Sequence, residues 1–167
     1  LQDTGSGGSY PVSTDRIVWG IAAYDYALFK QDPEYFKWVY DVINKTLDND
    51  LLVNFNSEKN IFRGETSFLD WREQTYPRWM DSVFIASSYA LGTNNDYYGA
   101  IKAAEKLSHI LNLSDEEKNL WNSRLLLMKE GINENFWLTE KKRYGNYIIS
   151  NVYETLYGGY ETLGTSL

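Results

Sequence analysis

The sequence predicts an all-α fold of α-hairpin repeats, with short β-hairpins set in the connecting loops. Three observations point there. Apolar residues recur at steps of three and four over four separate stretches. A short β-like pair follows the second and the fourth of them. Helix-start signals of similar composition return at long, nearly regular intervals.

The first helix starts at Ser13-Thr14-Asp15, an N-cap pattern, and carries Ile17, Ile21, Tyr24 and Leu28 on one face. Pro33 stands where a second helix begins, which suits its fixed φ and missing N–H. That helix carries Phe36, Val39, Ile43 and Leu47 and is expected to end near Asp48–Asp50. Leu51 to Phe55 and Ile61 to Arg63 then read as a β-hairpin turning at 56–60. Met80 to Leu91 is ambiguous, and reads as irregular with a short helix. Gly92-Thr93-Asn94-Asn95 starts a third helix with Tyr97, Ile101, Ala104, Leu107 and Leu111 as its stripe. Its small residues Gly99, Ala100, Ala103 and Ala104 permit close neighbours. Ser114-Asp115-Glu116-Glu117 is a capping box launching a fourth helix through Trp121, Leu125, Met128 and Ile132 to Phe136. A second β-like pair, 137–138 with 144–149, turns at Glu140-Lys141-Lys142.

Each unit thus runs helix, helix, small hairpin, loop. The starts at Thr14, Thr93 and Thr165 are 79 (93 − 14) and 72 (165 − 93) residues apart. The reading is a flexible lead-in over 1–12 and a partial helical domain over 13–167, cut at its C-terminal end.

The totals narrow the function classes. The chain has 167 residues, enough for one domain with a real core, and a net charge of -7. No basic stripe is visible, which argues against nucleic acid. Without cysteine there is no disulfide framework and no thiolate nucleophile. No apolar run approaches the roughly 18 residues of a membrane span. No dinucleotide, phosphate-loop or serine-hydrolase motif occurs, and no cofactor is expected. His109, alone of its type, has no partner at metal spacing and reads as structural. Aromatic residues reach 16%, more rings than a core needs, a pointer to a stacking surface.

The chemistry concentrates between Phe62 and Trp79. Glu65, Asp70 and Glu73 lie there with Arg63, Arg72, Arg78, Trp71 and Tyr76. The carboxylates sit at i, i+5 and i+8, so neither a helix nor a strand gathers them on one face. The segment reads as a folded loop opened by Gly64 and closed by Pro77. Carboxylates able to trade protons, among rings that stack on sugar faces, suit chemistry on carbohydrate. A surface loop of ion pairs is the plainer alternative.

Three segments resemble the six-hairpin glycosidases, a superfamily that includes glucoamylase, trehalase and processing α-glucosidase. They are Gly64-Glu65-Thr66-Ser67-Phe68-Leu69-Asp70-Trp71-Arg72, Leu91-Gly92-Thr93-Asn94 and Ile132-Asn133-Glu134-Asn135-Phe136-Trp137. The similarity runs from about Pro11 onward. It implies an (α/α)6 toroid, of which this chain holds about two hairpins, with the active site at one end of the ring. Helices near 15–30 and 95–112 would be parallel inner neighbours, and those near 33–50 and 115–136 the antiparallel outer layer. With only two hairpins a flank would stay open, exposing apolar residues such as Ile17, Tyr24, Ile101 and Leu107.

The resemblance also implies roles. Asp70 matches the Asp of the family's Glu-Ser-Gly-Trp-Asp type segment, although Glu65 and Asp70 are five apart where the family has four. Asp70 would be the general acid, with Glu73 its rival. Arg63, Glu65 and Arg72 would bind sugar hydroxyls or hold the acid, with Trp71 and Tyr76 on the pocket wall. Asp15 would approach the pocket from an inner-helix start, although a plain N-cap is the simpler role for it. Arg16 and Trp19 are packing or rim residues before substrate contacts. The implied reaction is hydrolysis of an oligo- or polysaccharide with inversion. A distant carboxylate, beyond this stretch, would activate water about 6.5–9.5 Å from the acid. A phosphorolytic or uronate-removing relative, or a non-catalytic module binding glycan or protein, stays open. The expected partners are the substrate and the remainder of the toroid or a second copy.

Overall fold

The computed structural model describes residues 15–64 and 87–148. Four helices dominate: α1 (Asp15–Lys30), α2 (Pro33–Val53), α3 (Leu91–Ile110) and α4 (Asp115–Phe136). Six two-residue strands lie at their ends: β1 (Phe55–Asn56), β2 (Ile61–Phe62), β3 (Tyr89–Ala90), β4 (Trp137–Leu138), β5 (Arg143–Tyr144) and β6 (Tyr147–Ile148). The all-α class holds.

The helices form two layers, and their side-chain partners fix the directions. Gly20 of α1 faces Ala100 of α3, Arg16 and Tyr97 share Asp50, and Tyr24 lies in the field of Glu105 and Lys106. Positions rise together, so α1 and α3 are parallel neighbours. Arg16 meets Asp50 and Tyr26 meets Tyr35, so α2 runs antiparallel to α1. Tyr40 accepts a hydrogen bond from the Trp121 indole at 3.0 Å, and Asp48 faces Arg124, which sets α4 parallel to α2. This is the expected arrangement of two antiparallel hairpins. Helices α1 and α3 approach closely at Gly99, where a Cβ would come within 2.6 Å of the Ile21 Cδ1 methyl.

The core fills the space between the layers. Val39, Ile43 and Leu47 of α2 face Ile17 and Ala27 of α1 and Tyr97, Ile101, Ala104 and Leu107 of α3. Trp121, Met128 and Phe136 of α4 close it. Phe62 lies flat on Tyr97, with ring centroids 3.7 Å apart and planes 7° from parallel.

Local chemistry explains the ends. Asp32 caps α2 by accepting from the Glu34 N–H at 3.0 Å, with Pro33 behind it. Ser114 and Glu117 form the reciprocal capping box of α4. The two small hairpins are built alike. Phe55 pairs with Phe62 and Trp137 with Tyr144, and the last loop residues, Asn60 and Lys142, both have positive φ. Their paired and turn residues are 82 residues apart (137 − 55 and 142 − 60).

Five expectations need correction. The inward stripe of α1 ends on Ala27, while Leu28 is 38% exposed: Ala27 stands seven residues, about two turns, after the buried Gly20, and Leu28 lies about 100° further round the helix. Helix α2 continues to Val53 instead of ending near Asp48–Asp50, because Asp50 is buried and ion-paired inside it. Leu51 to Val53 are therefore helical, and the first hairpin is shorter than expected. The return strand of the second hairpin stops at Tyr144, and Tyr147–Ile148 pairs with Tyr89–Ala90 instead. Finally, Ile17, Ile101 and Leu107 are buried between the layers and Tyr24 is half-buried, so they form no open apolar flank. The ambiguous stretch before α3 lies outside the described residues up to 86, and ends in the bridge of β3.

Candidate functional site

The end of the bundle where α1 and α3 begin and α2 and α4 finish is chemically unlike the other. Among the described residues the buried polar side chains are Asp50, Asn54, Ser88, Thr93, Asn94 and Ser108. All but Ser108 lie at this end. Buried polar groups must be satisfied by hydrogen bonds, so such a concentration has to be held in a specific network.

Asp50 is its centre. It is fully buried, and Oδ1 accepts from Arg16 Nη2 at 2.8 Å and from Asn49 Nδ2 at 3.0 Å. Oδ2 accepts from the Tyr97 hydroxyl at 2.8 Å. Burial, then the Asp50 charge, pushes the Tyr97 phenol well above its ordinary value. This network ties the first turn of α1, the last turn of α2 and the second turn of α3 together.

Asn94 makes a second clamp. Its Oδ1 accepts from the Phe62 N–H at 2.7 Å, and its Nδ2 donates to the carbonyls of Phe62 at 3.0 Å and Ala90 at 2.9 Å. One amide thus reads both backbone groups of β2 from the start of α3. The Tyr89 hydroxyl accepts from Asn56 Nδ2 at 2.7 Å and from Arg63 Nε at 3.3 Å. Gly64 N donates to the Ser88 carbonyl at 3.1 Å. These bonds bring residues 64 and 88, which bracket the acid-rich stretch, to one point on this end.

Of the residues singled out in the sequence, Arg63 is at this clamp, with its exposed guanidinium 6.0 Å from the Tyr89 ring centroid. Asp15 is the first residue of α1 at the same end. Glu65, Asp70, Trp71, Arg72, Glu73 and Tyr76 lie outside the described residues. His109 is an exposed helix residue whose Nε2 lies 3.1 Å from Glu105 Oε1. Among the described residues no group of three or more His, Cys, Asp or Glu side chains could hold a metal ion. No helix there is long and apolar enough to cross a membrane.

A shallow groove of about 200 Å³ opens between the first turns of α3 and the last turns of α4. Asn95, Tyr98, Lys129, Ile132 and Asn133 line it. Amides, a phenol and an ammonium over an apolar floor offer hydrogen bonds to a hydroxyl-rich ligand, with no base or nucleophile among them.

Sequence reasoning missed Asp50, Asn94 and Tyr89. The signal for Asp50 is present: it stands three residues after Leu47, on the apolar stripe of its helix. In comparisons with known proteins, no family model matches the chain and no curated protein matches it.

Proposed function

We propose that this chain is part of a glycoside hydrolase of the α-hairpin toroid type, cleaving a glycosidic bond with inversion. Asp70 is its general acid and Glu73 the alternative. Arg63, Glu65 and Arg72 bind hydroxyls or hold the acid, Trp71 and Tyr76 stack on sugar rings, and Asp15 approaches from α1. The general base comes from the remainder of the toroid.

One observation carries the reading. The buried polar network and the Gly64–Ser88 bond lie together where the parallel helices α1 and α3 begin. A toroid of hairpins carries its chemistry at that end, and the acid-rich sequence 65–86 leaves from and returns to it. The acid must hold a proton near neutral pH, which burial or a neighbouring carboxylate achieves.

The test uses the longer protein containing this stretch, with a panel of aryl glycosides and oligosaccharides. Asp70→Asn should abolish hydrolysis while glycan affinity remains, and the wild-type product should have the inverted anomeric configuration. Activity that requires added phosphate would make the enzyme a phosphorylase. An unsaturated uronide as the sole substrate would point to the uronate-removing relative. Glycan binding unaffected by Asp70→Asn, with no turnover in the wild type, would make the chain a binding module.

A further inference from the structure

At the opposite end, where α1 turns into α2, the molecule displays aromatic rings that the core does not use. Phe29 is 85% exposed, Tyr26 54% and Trp38 50%, with Tyr35 half-buried between them. Along α1 and α2 the exposed rings stand about 16–23 Å from the end where α1 begins and α2 finishes, at 1.5 Å per residue. Exposed rings of this kind, contiguous rather than scattered, mark a contact surface.

These rings are held in place. Tyr26 meets Tyr35 edge to face at 5.4 Å, and Tyr35 meets Trp38 at 5.4 Å with planes 30° apart. Lys30 Nζ lies 4.9 Å from the Tyr35 centroid and 2.8 Å from Asp32 Oδ2. Asp32 in turn caps α2, so the rim is tied to the helix start. An exposed aromatic group fixed before binding loses little entropy when a ligand arrives.

We propose that the exposed rings of Trp38, Tyr26 and Phe29, braced by Tyr35, form a contact platform for the pyranose rings of a neutral polysaccharide. The chemistry matches on two counts. A pyranose offers an apolar C–H face to the rings and hydroxyls at its edge, where Lys30 and Asp32 donate and accept. The local charge is balanced to slightly acidic, with Lys30 and Lys37 against Asp25, Asp32, Glu34 and Asp41. That disfavours anionic lipid and nucleic acid, which both require a cationic face. The platform goes beyond the proposed hydrolysis: it lies at the other end of the helices and involves neither Asp70 nor Glu73.

Affinity electrophoresis of the 167-residue chain tests it, in native gels cast with soluble starch, arabinoxylan, galactomannan or hydroxyethylcellulose. At least one should retard the wild type. Trp38→Ala should weaken that retardation roughly tenfold and Tyr26→Ala several-fold. Phe29→Ser, at an 85% exposed position, should weaken it with no loss of folding. Leu120→Ala, on the surface of α4, should leave it unchanged. No retardation in any gel would overturn the proposal, as would full binding by a folded Trp38→Ala chain. Co-sedimentation with phosphatidylcholine–phosphatidylglycerol vesicles, or dimerisation in light scattering, would also overturn it if Trp38→Ala abolished either.

Discussion

Asp50 shows how much a single residue decides here. A carboxylate with no exposed surface survives only when its lone pairs are taken up, and Arg16, Asn49 and Tyr97 take them up. Asp50→Ala removes the buried carboxylate that Arg16 and Tyr97 share, and should cost about 3–5 kcal/mol in denaturant unfolding. Tyr97→Phe removes one bond to a charged acceptor and should cost about 1.5–3 kcal/mol. The same phenol gives a pH signature. Its folded-state value is raised above 10.0, so the folded chain holds that proton after the unfolded chain has released it. Its stabilisation is complete below pH 10.0 and is lost as the pH rises towards the folded value. Melting temperature should therefore fall above about pH 10, and less steeply in Tyr97→Phe. Some slope should remain, because burial also raises Tyr40 and Tyr24. The site was legible only in part. A polar residue at an apolar step marks Asp50, but nothing local says that Arg16, 34 positions away, will meet it.

At the scale of elements, the stripes of α2, α3 and α4 were readable because each alternates buried and exposed positions over several turns. Two junctions were not. The pairing of β3 with β6 joins Tyr89 to Ile148, a register that tertiary packing sets and no short window of sequence contains. The overrun of α2 follows from an ion pair across helices. Gly131 illustrates the same limit from the other side. Within a helix it costs about 1 kcal/mol relative to Ala, which argues against its presence. It is there because a Cβ would lie 2.5 Å from the carbonyl oxygens of both Lys59 and Asn60, in the turn of the first hairpin. Backbone cannot move aside cheaply, so the clash outweighs the gain in propensity. Gly131→Ala should destabilise the protein by about 1–3 kcal/mol in thermal or denaturant unfolding. A variant as stable as the wild type would show that the hairpin does not rest on α4. Ser114→Ala, which removes one half of the capping box, should cost about 1 kcal/mol by the same measurement.

For the whole molecule, the relevant question is what two hairpins can do by themselves. The side chains that the toroid reading would leave bare, Ile17, Ile101 and Leu107, are covered because α2 lies across both α1 and α3. The polar residues Asn95, Lys102 and His109 of α3 are exposed to water. The all-α class and the paired layers were legible because helical periodicity is local. The catalytic assignment depends on the 65–86 stretch, where neither helical nor strand spacing gathers the carboxylates. Folding and chemistry should accordingly separate. The purified 167-residue chain should scatter light as a monomer and unfold in one cooperative transition at micromolar concentration. It should nevertheless hydrolyse no aryl glycoside. Inversion requires a second carboxylate about 6.5–9.5 Å from the acid, and the proposed reading puts that group in the remainder of the toroid. Half of an acid–base pair retains little activity, because the two groups act as a unit. Turnover by the isolated chain, lost in Asp70→Asn, would place both carboxylates within these residues, with Glu73 and Glu65 the first to replace by Gln.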